Sequence, residues 1–357
     1  MRKFFLSLVV MLVASVFTGK VYAQTSLLAT LSHDGAISTY YGTTALKDAL
    51  TDATHGDAIT LSAGQFLGAN ITKAITLRGA GMSIRNDSIN AHESTIVQGD
   101  FEVNITDSVS QRVTVEGIYF TSKLTYKNKV RNALFMKSRF GSITSTDGTL
   151  VNSSFIHCRV AEVITLTENS NACMVNCVVW NPYNKSTSAT NFEFDNCVLS
   201  FRNSGYAGNV INSYYKNCIV MVNYQSAGSS YPDLCIPYSC TAVNCVGMST
   251  HGSASIYYNN IFHYMASKNT TNVNITKPAD IFKEGNMAYN DTHTYELTDA
   301  AKTKYIGTDG KQVGLYGGSI PYEEDPTTPQ ITKCNVAAKS TADGKLSVDI
   351  EVKAAEY

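Results

Sequence analysis

The chain has 357 residues, of which 16% are charged, and its formal net charge at pH 7 is −1. A chain so close to neutral argues against a protein that holds nucleic acid through bulk electrostatic attraction. Its length is sufficient to bury a large core, and its many Tyr, Asn, Thr and Ser residues suit a long β-rich surface.

The first residues have the pattern of an export signal. Arg2 and Lys3 form a short basic start, and the apolar run from Phe4 to Phe17 is too short to span a bilayer comfortably. A small-residue cleavage site ends at Ala23, so the mature chain is expected to begin near Gln24. No later stretch is long and apolar enough for a transmembrane helix, and we expect a secreted, periplasmic or cell-surface protein.

A short amphipathic helix is predicted next, from Ala45 to Leu50. Strand and turn signals follow it in three segments, HGDAITL at 55–61, AGQF at 63–66 and ITLRGAG at 75–81. We expect the helix to act as a lid, because an uncovered end of a strand stack would expose unpaired strand edges.

Through the middle of the chain a six-residue motif recurs about every twenty residues. It consists of a bulky apolar residue, any residue, Asn, Cys and two apolar residues, and its clearest copies are 174–179, 194–199 and 215–220. Each copy is a short apolar strand between turn residues. The period therefore predicts a parallel β-helix whose successive coils stack about 4.8 Å apart.

In such a stack, the residues at each position of the motif form a column along the helix axis. The first column is expected to face inward and to stack: Phe135, Phe155, Met174, Phe194 and Tyr215. The second tolerates charge and is expected to face outward: Met136, Ile156, Val175, Asp195 and Lys216. The third is expected at a bend, where Asn accepts left-handed backbone geometry and its amide can bond the next coil: Lys137, His157, Asn176, Asn196, Asn217 and Asn244.

The asparagine column, together with the N-terminal order of helix, Gly-Asp turn, strand, Gly-bearing turn and strand, resembles the pectin-lyase-like superfamily over roughly Thr43 to Phe262. The resemblance implies an all-β fold: a right-handed, single-stranded parallel β-helix (a solenoid) with an N-terminal capping helix, here followed by a short β-rich C-terminal tail. Enzymes of this superfamily use Arg or Lys bases with calcium-binding acids, clustered aspartates, or paired aspartates beside an arginine. None of these signatures is present, so the catalytic residues are unknown and no cofactor is predicted; calcium is not supported.

Nine cysteines are present, an odd number that leaves at least one outside any internal disulfide bond. A column of small buried side chains is the interpretation favoured by their spacing at Cys158, Cys177, Cys197 and Cys218. Zinc is disfavoured, because no C-x-x-C occurs and each ligand would come from a different coil. One or two local disulfide bonds remain open among Cys173, Cys177, Cys235, Cys240 and Cys245.

Four basic or potentially basic side chains occupy matching positions of two adjacent coils and form the candidate binding patch: Lys137, Arg139, His157 and Arg159. Alternation along a strand and stacking between coils would bring them within several ångströms of one another. Stacked like charges are unfavourable unless an anion neutralises them. The interpretation we favour is that Glu116, Glu162 or solvent does so and that the long side chains splay apart. The alternative hypothesis is that the patch binds a uronic acid or a sulfated glycan.

Asp195 and Lys216 fall in the second column on adjacent coils. They are either an acid–base pair or a surface ion pair of small energetic worth, and we favour the ion pair. For the neighbours Tyr257 and Tyr258, alternation along a strand predicts one ring in the core and the other outside.

Beyond about residue 265 the repeat decays. The acidic, proline-bearing stretch 321–329 predicts a linker. The tail, 330–357, alternates weakly and suggests one or two strands around the turn at Asp343 and Gly344. The expected organisation is a signal peptide over 1–23, a β-helix domain with its cap over 24–320, the linker, and a short β tail.

Three functions of different classes fit these observations. The first is an exported protein that binds an extracellular or cell-surface polysaccharide, with an acidic one as the more specific form. The second is a polysaccharide lyase or glycoside hydrolase with a non-standard site, and the third is an adhesin or structural surface protein. The expected partner is a glycan, and the expected state is a monomer.

Overall fold

The computed structural model describes most of the chain between residues 27 and 353. The described ranges are 27–82, 94–105, 112–145, 149–161, 163–164, 171–180, 191–201, 212–222, 240–249, 256–264, 271–274, 277–286, 289–290, 292–323, 330–336, 344–345 and 347–353. The expected signal peptide, 1–23, and most of the expected linker, 324–329, lie outside these ranges, as do Glu162 and Cys235.

Short strands make up most of the described chain. The N-terminal elements are β1 (Leu28–His33), β2 (Ala36–Tyr41), α1 (Ala45–Asp52), β3 (Ala58–Leu61), β4 (Gly64–Leu67), β5 (Asn70–Ile71), β6 (Thr76–Arg78), β7 (Thr95–Gln98) and β8 (Phe101–Asn104). The middle elements are β9 (Thr114–Glu116), β10 (Ile118–Lys127), β11 (Lys129–Arg131), β12 (Leu134–Met136), β13 (Arg139–Ser145), β14 (Thr149–Val151), β15 (Ser153–Ile156), β16 (Arg159–Val160), β17 (Val163–Ile164), β18 (Asn171–Val175), β19 (Val178–Trp180), β20 (Asn191–Asp195) and β21 (Val198–Phe201). The remaining elements are β22 (Tyr214–Lys216), β23 (Ile219–Val222), β24 (Thr241–Val243), β25 (Val246–Ser249), β26 (Ile256–Tyr258), β27 (Ile261–Tyr264), β28 (Val273–Asn274), a 3-10 turn (Pro278–Asp280), α2 (Asp299–Lys304), β29 (Gln330–Val336) and β30 (Val348–Lys353).

Two long sheets carry the fold. The first sheet has twelve strands in the order β2-β1-β3-β6-β9-β12-β15-β18-β20-β22-β24-β26. The second has fourteen strands, and its main path runs β28-β27-β25-β23-β21-β19-β16-β13-β10-β7-β4. Within the coils, neighbouring strands pair in parallel, as β18 does with β20 and β19 with β21. The chain thus alternates between the two sheets once per coil, and the expected all-β parallel β-helix is confirmed.

The first column of the repeat forms the core, as predicted. Phe135 and Phe155 are fully buried and stack at 4.9 Å between ring centroids. Further along the axis, Phe194 stacks on Tyr215 at 5.1 Å. Between these pairs the column is continued by Met174, which is also buried, so rings and aliphatic side chains make a continuous apolar stack along the interior.

The third column occupies the corner between the two sheets. Asn176, Asn196, Asn217 and Asn244 have φ angles of 50–55°, in the left-handed region. Asn tolerates this conformation better than most residues, which is why the repeat places it there. Lys137 and His157 have the same geometry, with φ angles of 45° and 51°.

The cysteine column lies just inside this corner and is buried, as expected. The thiol of Cys197 donates to the carbonyl oxygens of Met174 at 3.2 Å and Asp195 at 3.3 Å, and its sulfur accepts the backbone N–H of Cys177. Burial raises the pKa of the Cys158, Cys197 and Cys245 thiols, which keeps them neutral. The disulfide bonds left open by the sequence do not form among Cys173, Cys177, Cys240 and Cys245, all of which carry thiols.

The N-terminal end of the stack is covered. Helix α1 buries Ala45, Leu46, Ala49 and Leu50 over the first strands, which confirms the predicted capping helix. The strands β1 and β2 form an antiparallel hairpin that extends the first sheet at β3. This hairpin was not predicted from the sequence. In the tail, β29 and β30 form the expected antiparallel hairpin. Within the described ranges, none of the helices has the length and apolar character needed to cross a membrane.

After β28 the chain folds back along the coils as a segment here called the strap (277–286, 289–290 and 292–323). Its apolar side chains, including Phe282, Leu297 and Leu315, pack on the outer face of the second sheet. The last part of the strap contacts successively earlier coils, from Thr308 at Asn244 to Pro321 at Asn176. The strap thereby covers one face of the later coils and stops short of the earlier ones.

Candidate functional site

One outward-facing column of the second sheet changes from arginine to valine where the strap begins to cover it. In register, it runs from Tyr119 on β10 through Arg139 on β13 and Arg159 on β16 to Val178 on β19 and Val198 on β21. Val178 is 7% exposed and Val198 is 2% exposed, and both belong to the apolar cluster under the strap. The two arginines are only half-buried, one coil apart and about 4.8 Å from each other along the axis.

A cleft of about 120 Å³ opens at this boundary. Its lining contains both arginines together with small and aromatic side chains: Arg139, Arg159, Val160, Ala161, Val178, Trp180 and Tyr289. Trp180 from the coils and Tyr289 from the strap meet edge to face, with 4.9 Å between ring centroids. The cleft therefore combines planar hydrogen-bond donors of fixed positive charge with an aromatic wall, which suits a ring-shaped ligand that carries an anionic group.

Tyr119 supports the first arginine. The guanidinium carbon of Arg139 lies 4.7 Å from the centroid of the Tyr119 ring, a cation–π contact. Because Tyr119 occupies the same column one coil earlier, the contact follows directly from the register of β10 and β13. It restricts the orientation of the Arg139 side chain on the face of the sheet.

The four residues of the sequence-predicted patch are separated by the bend. Lys137 and His157 are corner residues with positive φ, so the strand alternation used to group them with the arginines does not apply there. Among the described residues, the cleft lining includes Arg139 and Arg159 but neither Lys137 nor His157. The structure thus divides the patch into an arginine pair in the cleft and a corner pair beside it.

The corner pair has its own electrostatic environment. Burial is the main effect that lowers the pKa of His157, and the nearby charge of Lys137 lowers it further. The charge of the strap residue Glu323 opposes this shift. Since an ordinary histidine has a pKa near 6.5, His157 is mostly neutral at pH 7 and adds little to the charge of the cleft.

A smaller void of about 20 Å³ lies under the strap beside the cleft, and Arg159 lines both. It has room for one water molecule. Tyr289, His293 and Tyr322 of the strap contribute to its lining. The Nδ1 atom of His293 is buried and makes no hydrogen bond with any part of the chain that the structure describes.

Asp195 and Lys216 lie on the first sheet, in register on β20 and β22. Their charged groups are 3.9 Å apart, as expected for an ion pair. Burial raises the pKa of Asp195, and Lys216 partly offsets this effect. As predicted for their strand, Tyr257 is 8% exposed and Tyr258 is 46% exposed.

Two contributors to the cleft were not predicted. Trp180 lies two residues after Val178 on the same strand, so the alternation rule was sufficient to place it on the arginine face. Tyr289 belongs to a non-repetitive segment and carries no comparable signal. As for metals, the described ranges contain no cluster of three or more His, Cys, Asp or Glu side chains placed to hold an ion.

Comparison with known proteins does not identify the chain. No protein-family model matches the chain, and no curated protein matches it. Among solved structures, a mutant of the PL6 family alginate lyase AlyGC is similar, with 12% sequence identity over 77% of this chain and 58% of that one. The TM-score is 0.25, which is too low for the similarity to bear on activity. The molecule is thus defined by its own geometry, as a parallel β-helix protein with a basic, aromatic-walled cleft at the end of its strap.

Proposed function

We propose that this protein binds an acidic polysaccharide in the cleft of Arg139 and Arg159. The guanidinium groups hold a carboxylate or sulfate group, while the indole of Trp180 packs against the sugar ring. The proposal is carried by one observation, the pair of arginines stacked in register at the edge of the strap and opening into the same cleft as Trp180 and Tyr289.

Arg139 and Arg159 place two guanidinium groups at matching positions of adjacent coils, and both line the same cleft. An anionic group in that cleft is within reach of donors from both arginines. Arginine presents its donors in a planar fork that matches carboxylate and sulfate groups. An aromatic ring beside that fork adds apolar contact with the face of a sugar, so charge and shape favour the same class of ligand.

Retention on immobilised polysaccharides tests this proposal. Polygalacturonate and dextran sulfate provide the acidic surfaces, and plain dextran provides a neutral backbone matched to the second of them. We expect retention on the acidic supports, none on dextran, and loss of retention when Arg139 and Arg159 are both replaced by Gln. The matched control replaces Arg112 and Arg131, two arginines outside the cleft lining, by Gln. Equal retention of wild type and the cleft variant would contradict the proposal.

A second candidate function is cleavage of the bound polysaccharide, favoured by the position of His293. Its Nδ1 atom is buried without a hydrogen-bond partner in the part of the chain that the structure describes, and His293 and Arg159 line the same void. In an elimination, a base takes the proton next to the uronate carboxylate, and His293 could do so through the one water molecule for which the void has room. The bond to the leaving oxygen then breaks, a carbon–carbon double bond forms, and the leaving oxygen takes a proton from the protonated base or from water. Incubation with polygalacturonate would yield ultraviolet-absorbing unsaturated ends, whereas hydrolysis would yield reducing ends without that absorbance. Binding without either product supports the first function.

The proposed ligand is extracellular, and the expected export signal agrees with that location. Cleavage after Ala23 would release a chain that begins at Gln24. N-terminal sequencing of the protein recovered from outside the cytoplasm tests this. Recovery of the uncleaved chain in the cytoplasm alone would contradict the proposal.

A further inference from the structure

The direction of the arginine column restricts how an acidic chain lies in the cleft. Along the axis, equivalent positions repeat about every 4.8 Å, whereas along a strand, positions on one face repeat about every 6.7 Å. Arg139 and Arg159 differ by one step along the axis and occupy the same place on their strands. A polymer that offers one acidic group to each arginine therefore lies parallel to the coil axis, across the strands.

One end of this path is closed. Beyond Arg159 the same column continues as Val178, Val198 and Ile219, which are buried under the strap. Above them, the edge-to-face contact of Trp180 with Tyr289 joins the coils to the strap and forms a wall across the path. A chain that runs along the column from the arginines thus meets the strap within one coil.

Towards the opposite end of the path, the column continues as Tyr119, which is half-buried and contacts the guanidinium of Arg139, so a ligand chain leaves beside this ring. Beside the arginines, the adjacent outward positions are held by the small residues Ala161 and Gly141. A Cβ atom at Gly141 would lie only 2.8 Å from the carbonyl oxygen of Ser122, so the main chain of the neighbouring strand fills the space beside this glycine and no side chain projects from it. Towards the N-terminal coils, the exposed residues Thr121 and Gln98 continue this surface.

From this asymmetry we infer that the site takes the end of an acidic polysaccharide rather than an internal stretch. The inference rests on the proposed function and deepens it. The terminal acidic sugar lies at Arg159 against Trp180 and Tyr289, and the next sugar lies at Arg139. The rest of the chain leaves over Gly141 and Thr121.

Binding stoichiometry tests this inference directly. Galacturonate oligomers, from one sugar to about twelve, and polygalacturonate of known chain length are titrated into the full-length protein by calorimetry. Recognition of an end predicts one protein molecule per chain at every length. The association constant is expected to rise by about tenfold from one sugar to three and little thereafter, since only the first sugars contact the arginines.

The outcomes distinguish recognition of a chain end from binding of an acidic glycan in general. Several protein molecules on each long chain would overturn the chain-end inference and leave acidic-glycan binding intact. No heat with any of these ligands would overturn both for uronate chains. A bulky variant of the open side, Thr121→Trp, checks the direction: we expect it to weaken the longer oligomers and to spare the single sugar. If it weakens all lengths equally or none, the proposed path across Gly141 is wrong.

Discussion

The side-chain amide of Asn196 donates a hydrogen bond of 2.7 Å to the carbonyl oxygen of Leu315, which lies 119 residues later in the chain. A second bond, of 2.8 Å, reaches the carbonyl oxygen of Gly317. The expected bond between amides of adjacent coils is present from Asn217 to Asn196, at 3.5 Å. The amide of Asn196 itself is used to hold the strap, which in turn fixes Tyr289 at the cleft.

Replacing Asn196 by Gly is expected to loosen the strap. Glycine keeps the left-handed backbone without strain, so the change removes only the amide. The buried carbonyl of Gly317 then loses its donor, whereas that of Leu315 still accepts the backbone N–H of Tyr322. We expect a loss of about 1–3 kcal/mol in the free energy of unfolding, measured by chemical denaturation.

Asn152 provides the matched control. It has nearly the same backbone geometry, with a φ angle of 49°, but its side chain is exposed. We expect Asn152→Gly to change stability by less than about 0.5 kcal/mol. Equal losses in the two variants would mean that the amide of Asn196 does not hold the strap.

Trp180 is the only tryptophan of the chain and lies in the cleft, so its fluorescence should report ligand binding. We expect an acidic oligosaccharide to change the emission of the wild type in a saturable way. Trp180→Ala is expected to weaken binding by about three- to tenfold, the worth of one aromatic contact. An emission spectrum that stays constant while calorimetry records binding would place the ligand elsewhere.

The N-terminal cap contains a pH-sensitive contact. His33 Nδ1 and Asp57 Oδ1 are 2.8 Å apart, and this hydrogen bond is the main effect that raises the pKa of His33. Burial alone would raise the pKa of Asp57, but the hydrogen bonds from Thr54 and His33 outweigh it and lower the pKa. The carboxylate and the imidazolium are therefore each favoured by the other in the folded state.

The sign of the pH dependence follows from these shifts. The contribution of His33 is complete below about pH 6.5, its ordinary pKa, and is lost as the pH rises through the higher folded value. The contribution of Asp57 is present above about pH 3.9 and is lost as the pH falls through the lower folded value. We expect His33→Gln to reduce the melting temperature most between about pH 4 and 6.5, and less on either side. A difference that does not vary with pH would contradict this.

The five cysteines of the corner column should resist modification until the coils open. Their sulfur atoms are buried, and burial raises the pKa of Cys158, Cys197 and Cys245. We expect iodoacetamide to alkylate all five in denaturant and none in the native state, as read by peptide mass spectrometry: Cys158, Cys177, Cys197, Cys218 and Cys245. Detection of a disulfide bond within this set would show that the column is not a stack of thiols.

The repeat carried enough information to place most of the β-helix. Bulky apolar residues such as Phe155 and asparagines such as Asn196 recur at fixed positions of the repeat. They do so because each coil has one position that faces the interior and one that lies at the corner. The arginine pair could be predicted for the same reason, since Arg139 and Arg159 occupy matching positions of the repeat. Grouping Lys137 and His157 with them ignored the bend, which turns corner side chains away from the strand face.

The position of the strap could not be predicted from the repeat. Its contacts join residues more than a hundred positions apart, such as Asn196 and Leu315, and its own sequence has no period. The stretch expected to end the β-helix domain instead folds back and supplies one wall of the cleft through Tyr289. Only the three-dimensional structure shows that the change from valine to arginine in the outer column coincides with the end of this cover.

The most direct test of the account is the affinity of the double variant Arg139→Gln, Arg159→Gln for polygalacturonate, measured by calorimetry beside the wild type and the Arg112→Gln, Arg131→Gln control. Two lost charge-assisted contacts predict binding about a hundredfold weaker in the cleft variant, with the control close to the wild type. Equal affinities of the wild type and the cleft variant would contradict the assignment of the cleft as the binding site.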